Sequence, residues 1–208
     1  MITLFGAQVG GVCLDCDGVL VDSEPVSELA WSRVLARFGI DVERFDAWVG
    51  RTDAEIARHY AALIGTSPDE LAAAAAEALA DELTRGVEPF ADAVTLVDRV
   101  EAAGVPCAVV SNSSRRRLDR VLSAAGLAGR FSVTVSSSDV ALPKPAPDVY
   151  LRAVELLGAD RCLAIEDSPT GVAAARAAGL VVVAVDRGVF PPAELSGADR
   201  VVTDLGEG

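Results

Sequence analysis

The stretch Gly11-Val-Cys-Leu-Asp15-Cys-Asp17-Gly18-Val-Leu-Val-Asp22-Ser23-Glu24 decides the fold of this chain. It joins a short apolar run to a glycine turn, and two aspartates stand at the junction. Side chains alternate along a strand, so Asp15 and Asp17 are predicted to point the same way. Two like charges held that close need a cation or a shared proton. The stretch therefore predicts a chemical site at the end of a strand; a solvated Asp-Gly turn is the plainer alternative.

Composition limits the class of protein and its partners. The 208 residues are 51% hydrophobic, enough for one large domain or for one domain with a small insert. The net charge of -13 argues against binding to nucleic acid or to an anionic membrane, because both would repel the chain. The sequence shows no leader-like N-terminus and no uncharged window of about 20 apolar residues, so we expect a cytoplasmic protein without a membrane partner.

Cysteine and histidine are too scarce or too scattered for several common chemistries. Cys13, Cys16, Cys107 and Cys162 lie in apolar stretches typical of buried strands, which fits a reducing cytosol. The C-x-x-C at the first two is not expected to bind zinc, because positions three apart on a strand face opposite sides. With His59 as the only histidine, a multi-histidine metal site is excluded. Carboxylates are left to carry the chemistry.

From Pro89 onward, short β-branched runs alternate with helical segments, which is typical of a parallel, doubly wound α/β sheet. After a first strand at about 11–17, strands are predicted at Val105–Ser111, Ser132–Ser136, Cys162–Glu166, Leu180–Val185 and Val201–Thr203. Helices are predicted between them at about 91–103, 114–125, 146–157 and 170–178.

Residues 23–86 interrupt this pattern and read as helical throughout. Apolar positions recur at helical spacing in Val26–Phe38 and Ile56–Ile64, and Asp69–Leu83 is rich in Ala, Glu and Leu. We therefore predict a catalytic α/β core from residues 1–22 and 87–208, with an inserted helical cap domain at 23–86. In such sheets ligands bind where the strands end, near the point at which strand order reverses.

Polar residues gather at the predicted strand ends. Asp15 could attack phosphorus, while Asp17 could protonate the leaving oxygen and later activate water. Glu166 and Asp167 with Asp15 offer the hard oxygen ligands that Mg²⁺ prefers. The sequence therefore favours Mg²⁺-assisted phosphoryl transfer, in which positioning and charge neutralisation matter most.

Two further segments could hold the phosphate group. Ser111 in Ser111-Asn112-Ser113 could donate to a phosphoryl oxygen at the start of a helix, although such a stretch can also be a plain N-cap. Lys144, the only lysine of the chain, stands between two prolines and provides a compact positive charge.

In this order the segments resemble the haloacid dehalogenase superfamily, in particular its phosphatases with a helical cap after the first strand. The four motifs of the family are matched by Leu14–Glu24, Val110–Ser113, Pro143–Pro145 and Ile165–Gly171. The resemblance implies the following roles. Asp15 is the nucleophile, Asp17 is the general acid/base, and Ser111, Asn112 and Lys144 hold the phosphate. The Mg²⁺ ligands are Asp15, Asp167 and the backbone carbonyl of Asp17, with Glu166 supporting the metal's waters.

Departures from other members of the family limit the activities that this chain is expected to have. True dehalogenases lack the second aspartate, and phosphonate-cleaving members need a cap lysine that this cap does not contain. Sugar-phosphate mutases share the loop Val49-Gly50-Arg51-Thr52, but the position of their cap histidine is Ser27 here. We therefore expect a Mg²⁺-dependent phosphatase for a sugar or polyol phosphate. A β-phosphoglucomutase-type mutase and a non-catalytic protein that binds phosphorylated metabolites are the alternatives.

Substrate selection is expected to depend on the cap. Glu24, Arg51 and Arg115 are the candidate specificity residues, and Arg115 is predicted to be the one arginine of Arg115-Arg116-Arg117 that faces the site. His59 is expected to lie on the surface or to pack locally. The partner is predicted to be a small phosphorylated molecule, and the chain a monomer or weak homodimer.

Overall fold

The computed structural model describes residues 1–42, 48 and 51–207. Its centre is a six-stranded sheet in which all neighbouring strands are parallel, in the order β5-β4-β3-β6-β7-β8. The strands are β3 (Gly11–Leu14), β4 (Cys107–Val110), β5 (Val133–Val135), β6 (Cys162–Glu166), β7 (Val181–Val185) and β8 (Arg200–Val202). The predicted parallel α/β sheet is therefore confirmed.

Helices cover both faces of this sheet, which makes it doubly wound. They are α4 (Ala91–Ala102), α5 (Arg115–Ala124), α6 (Asp148–Leu157) and α7 (Pro169–Ala177). Side chains of α4 and α5 join one buried apolar cluster, and those of α6 and α7 join the other. Cys13 lies in the second cluster and Cys16 in the first, and both are free thiols. The expectation that this C-x-x-C faces two opposite sides is confirmed.

A short N-terminal hairpin precedes the sheet and was not predicted. Strands β1 (Ile2–Leu4) and β2 (Ala7–Val9) pair antiparallel through a turn at Phe5 and Gly6, both of which have positive φ. The inward residues Leu4 and Val9 are buried in the same apolar cluster as α4. The hairpin thus extends the core at the end of the sheet where the strands begin.

Three α-helices lie between β3 and α4 among the described residues of 23–86: α1 (Glu24–Ala36), α2 (Asp53–Ile64) and α3 (Pro68–Leu83). We keep the name cap for these residues. Helix α1 ends well before α2 begins, so the segment is not helical throughout as predicted. A capping box between Thr52 and Glu55 starts α2, and Pro68 in the first turn starts α3. Among the described residues, no helix is long and apolar enough to cross a membrane.

Strand register brings the predicted site together. Leu14 of β3 pairs with Val109 of β4 on one side and with Ile165 of β6 on the other. The residues that follow these positions therefore leave the sheet at one level. Because parallel strands end at the same edge, Asp15, Ser111 and Glu166 all reach this edge beneath the cap.

Candidate active site

Asp15 is fixed immediately after β3. Its N–H donates to the carbonyl oxygen of Ile165 at 3.0 Å, which continues the sheet by one residue. Its Oδ1 accepts a 2.6 Å hydrogen bond from Lys144 Nζ, and the residue is only 7% exposed. The carboxylate thus has a defined orientation and a cation beside it.

Lys144 is buried and links three parts of the site. Besides Asp15, its ammonium donates to Glu166 Oε1 at 2.6 Å and to the carbonyl oxygen of Val110 at 3.1 Å. Asn112 holds the lysine's backbone, because its amide nitrogen donates to the Lys144 carbonyl and its oxygen accepts from the Lys144 N–H. Asn112 therefore positions Lys144, and direct contact of Asn112 with phosphate stays a prediction.

Asp15, Glu166 and Asp167 form a buried cluster of carboxylates. One ligand oxygen from each lies within 4.8 Å of the others. Burial, together with repulsion within the cluster, raises the pKa values of Asp15 and Asp167 well above their ordinary range, even though Lys144 opposes the shift. A divalent cation would remove this excess of negative charge, and three hard oxygen donors at such spacing suit Mg²⁺. The donor set therefore fits the predicted ion.

Two glycines permit the close approach that this cluster needs. Gly18 has φ +82°, and a Cβ at this position would overlap the carboxylate of Asp167. A Cβ on Gly171, in the first turn of α7, would overlap the carboxylate of Glu166. The turn at Gly18 in the first motif therefore lies directly against the carboxylate of Asp167, a contact that only glycine permits.

Asp17 has a different environment from Asp15. Its Oδ1 accepts from Ser23 Oγ and lies 3.4 Å from Arg117 Nη2, and its Oδ2 accepts from Ser113 Oγ at 3.0 Å and from Ser111 Oγ at 3.3 Å. Burial works to raise the pKa of Asp17, but Arg117 and the serine hydroxyls outweigh it and lower the pKa. Its carboxylate does not belong to the three-carboxylate cluster, so the backbone carbonyl remains the predicted metal contact of Asp17.

The prediction that Arg115 faces the site is wrong. The side chain of Arg115 turns to the outside of α5, where it donates to Thr134 at 2.7 Å and pairs with Asp119 and Asp139. Two residues further along the helix, which turns by about 100° per residue, Arg117 reaches the pocket instead. Arg117 and Ser23, both of which contact Asp17, are therefore site residues that the sequence did not predict.

Glu24 and Arg51 extend the pocket on the cap side. Together with core residues they line one cavity, whose walls are formed by Asp15, Asp17, Glu24, Arg51, Asn112, Ser113, Arg117, Lys144, Asp167, Ser168 and Thr170. Burial and the nearby carboxylates raise the pKa of Glu24 to about 7. Arg51 is mostly exposed and lies 3.5 Å from Glu55. Val49 and Gly50 of the predicted loop lie outside the described residues, and His59 packs locally against Trp48.

Fold and site together match one large class of enzymes. A family model described as haloacid dehalogenase-like hydrolase matches residues 9–179. The chain therefore belongs to the haloacid dehalogenase-like hydrolase family, and the predicted family and enzyme class are confirmed.

Similar proteins refine this placement. Hexitol phosphatase A of Escherichia coli (strain K12) is 34% identical over 200 residues, which cover 94% of this chain and 91% of that protein. Fructose-1-phosphate phosphatase YqaB of the same strain is 33% identical over 186 residues, covering 86% of this chain and 97% of that protein. The solved structure of CbbY from Rhodobacter sphaeroides in complex with phosphate has a TM-score of 0.83, with 96% of each chain covered and 24% identity. That structure supports the fold, and the named phosphatases support a phosphoric monoester hydrolase.

Proposed function

We propose that the chain is a Mg²⁺-dependent phosphatase that hydrolyses a sugar or polyol phosphate through an aspartyl-phosphate. One observation carries this proposal. Asp15 and Asp17 stand side by side at the end of β3, yet one is paired with Lys144 in a carboxylate cluster and the other with Arg117 and three serines. This separation gives two adjacent carboxylates two different tasks.

The chemistry divides between these two residues. A carboxylate oxygen of Asp15 attacks phosphorus as the bond to the leaving oxygen breaks, and Asp17 gives that oxygen its proton. Asp17 then takes a proton from water as the water attacks the phosphoryl group on Asp15, which releases phosphate and restores the enzyme. Lys144 neutralises charge beside Asp15, and Asn112 lines the pocket. Ser111, which is buried and whose hydroxyl donates to Asp17, is proposed to hold the phosphate with them.

Asp15, Asp167 and the backbone carbonyl of Asp17 would hold Mg²⁺, with Glu166 next to them. When bound, the ion supplies positive charge for the phosphoryl oxygens and for the clustered carboxylates. Glu166 is itself held by Lys144 at 2.6 Å and by the hydroxyl of Tyr150 at 2.5 Å, so its orientation is fixed from within the core.

The substrate class follows from the relatives and from the cap. Two relatives at 33% and 34% identity are named for phosphatase activity on hexitol phosphate and fructose 1-phosphate. Above the proposed nucleophile, Glu24 and Arg51 offer one acceptor and one donor to a polar, hydroxyl-bearing substrate. Residues 23–86 are proposed to act as the cap domain of this core. We further propose a cytoplasmic monomer or weak homodimer, since free buried cysteines suit a reducing compartment.

A panel of sugar and polyol phosphates, assayed for phosphate release with and without Mg²⁺, tests the proposal. We expect release that requires Mg²⁺, and a loss of at least about 10⁴-fold in Asp15→Asn, because the amide is a far weaker nucleophile. Retained activity in Asp15→Asn would contradict the mechanism.

The same panel tests the two alternatives. A mutase would convert a sugar phosphate into its isomer with little net phosphate release, whereas a binding protein would hold a ligand without turnover. Ser27, which replaces the histidine of the mutases, is already engaged by Arg117 at 2.7 Å, which supports hydrolysis over isomerisation.

A further inference from the structure

We propose that Arg117 is a positioning residue that couples the seating of the cap to the orientation of Asp17. The inference rests on the proposed function, because it takes Asp17 to be the proton donor to the leaving oxygen. Arg117 belongs to α5 of the core, yet its guanidinium reaches one core carboxylate and two cap side chains. The residue therefore lies where a movement of the cap can be transmitted to the acid.

The contacts of Arg117 use both terminal nitrogens of one rigid group. Nη1 donates to Asp53 Oδ1 at 3.1 Å, and Nη2 donates to Ser27 Oγ at 2.7 Å and lies 3.4 Å from Asp17 Oδ1. Asp53 is the first residue of α2, and Ser27 lies in α1. Because the guanidinium is planar, the cap residues that grip it also set the direction in which Nη2 faces Asp17.

Burial makes these contacts necessary. The side chain of Arg117 is only 12% exposed, and its Nε is buried without a hydrogen-bond partner within the described part of the chain. A buried cation with one unpaired donor is stable only if carboxylates compensate it. Asp53, Asp17 and Glu24 are those carboxylates. Two of the three belong to the cap, so displacement of the cap would leave Arg117 to reorient.

The hydrogen bonds of Asp17 show what such a change would alter. Its Oδ2 is held by Ser111 and Ser113 of the core, whatever the cap does. Its Oδ1 is held by Ser23, at the junction with the cap, and by Arg117. The orientation of the carboxylate is therefore complete only when the cap is seated, so that the proton is delivered in a closed pocket.

Leaving-group dependence distinguishes this role from a structural one. The values of kcat/KM for the best alkyl phosphate of the panel and for 2,4-dinitrophenyl phosphate both report formation of the phospho-enzyme, but only the alkyl leaving group needs a proton. For Arg117→Met we expect kcat/KM to fall about 100-fold for the alkyl ester, because the lost orientation of Asp17 outweighs the rise in its pKa that follows loss of the guanidinium. For the dinitrophenyl ester we expect kcat/KM to fall less than about 3-fold. For Arg117→Lys, kcat/KM for the alkyl ester should lie between the values for the parent chain and for Arg117→Met, because the charge is kept but one ammonium cannot span Asp53 and Asp17.

Two further variants separate cap docking from the effect on the acid. Arg120, one turn further along α5, donates to the carbonyl oxygen of Ala76 in α3 at 3.3 Å, which is its one side-chain hydrogen bond within the described part of the chain. Arg120→Met should lower kcat/KM by the same small factor for both esters. Asp53→Asn removes only the charge of the Asp53 carboxylate and should lower kcat/KM for the alkyl ester selectively, by about 10-fold. If Arg117→Met does not fold, Asp53→Asn provides the test.

Equal losses of kcat/KM for the two esters, in both Arg117→Met and Asp53→Asn, would overturn the proposal, since they would indicate a structural role. A rise in KM for the alkyl ester at unchanged kcat would also overturn it, by making Arg117 a substrate-binding residue. Failure of the proposed function has a different signature, because the unchanged protein would then show no Mg²⁺-dependent turnover of 2,4-dinitrophenyl phosphate.

Discussion

The pocket has two walls that are built in different ways. The core wall consists of Asp15, Lys144, Glu166 and Asp167, all of which are buried. The cap wall consists of Glu24 and Arg51, which are partly or largely exposed and have few partners. The difference indicates that the core wall is organised for chemistry common to a family, whereas the cap wall is free to vary with the substrate.

The two walls should respond differently to substitution. On the core wall, each side chain neutralises or orients another, so one change leaves a buried charge without its partner. On the cap wall, Arg51 contacts solvent, and a change there affects mainly what binds. Glu24 is partly buried beside other carboxylates, so a change there also affects stability. Substitutions on the two walls therefore test this difference, and the larger losses of stability and turnover are expected on the core wall.

The largest effect is expected for Lys144→Met. Removing the ammonium leaves Asp15 and Glu166 buried without their shared cation, so the free energy of unfolding should fall by about 3–5 kcal/mol. Turnover should fall by about 10³-fold, because the charge beside the phosphoryl group is lost. Urea denaturation without Mg²⁺ and phosphate release with Mg²⁺ measure the two effects.

Tyr150→Phe is the matched control on the same wall. It removes a hydrogen bond from an uncharged donor to the oxygen of Glu166 that Lys144 also contacts, and it leaves the ammonium in place. Its cost should be about 1–2 kcal/mol. An equal cost for both variants would show that charge pairing is not what organises the core wall.

A smaller effect, visible in its pH dependence, is expected for Glu24→Gln. Burial and the neighbouring Asp17, Asp22 and Asp53 raise the pKa of Glu24 from 4.5 to about 7, against the opposing effect of Arg117. Because the folded pKa is the higher one, the stabilising contribution of Glu24 is complete below pH 4.5 and is lost as the pH rises through about 7. At about pH 8 the variant should therefore be more stable than the parent chain, by about 2–3 kcal/mol.

Thermal or urea unfolding at about pH 5 and about pH 8 checks this prediction. Glu28→Gln serves as control, since Glu28 lies on the same helix α1 but is exposed. If Glu24→Gln changed stability by the same amount at both pH values, repulsion from the buried carboxylates would not be the cause.

The smallest effect is expected for Arg51→Gln. The side chain of Arg51 is 54% exposed, and among the described residues its one ion pair is with Glu55 at 3.5 Å, so stability should change by less than about 0.5 kcal/mol. For a neutral polyol monophosphate, KM should rise less than about 3-fold, and for a substrate with a second anionic group it should rise about 10-fold or more. Arg58→Gln, in helix α2 just after Arg51 but outside the pocket, should change neither value. Equal KM changes for the two substrates would show that Arg51 does not determine specificity.

The core wall could be predicted from sequence because a parallel sheet converts sequence position into spatial position. Asp15 follows β3 and Glu166 ends β6, and the register of these neighbouring strands places both at one edge. Short β-branched runs are clear in sequence, and the residue after each run is therefore known. Lys144 could be predicted as a site residue because it is the only lysine of the chain and stands between two prolines.

The rest depended on packing between distant segments. Arg115 and Arg117 are equally plausible in sequence, and the choice is made by Asp53 and Ser27, which lie far away in the chain and are brought to α5 by the cap. The N-terminal hairpin was missed because its strands have three residues each, too few for a periodic signal. Gly18 was read as a turn residue, and its contact with Asp167 required the structure.

The most direct test of the account uses the contrast between Asp15 and Asp17. Asp17→Asn should still form the phospho-enzyme from 2,4-dinitrophenyl phosphate, whose leaving group needs no proton, but should lose it slowly for want of a base. Acid quenching followed by peptide mass analysis should then find a phosphoryl group on the peptide that contains Asp15, and none when Asp15→Asn is added. Phosphate release without such an adduct, or an adduct at another residue, would contradict the assignment of Asp15 as nucleophile.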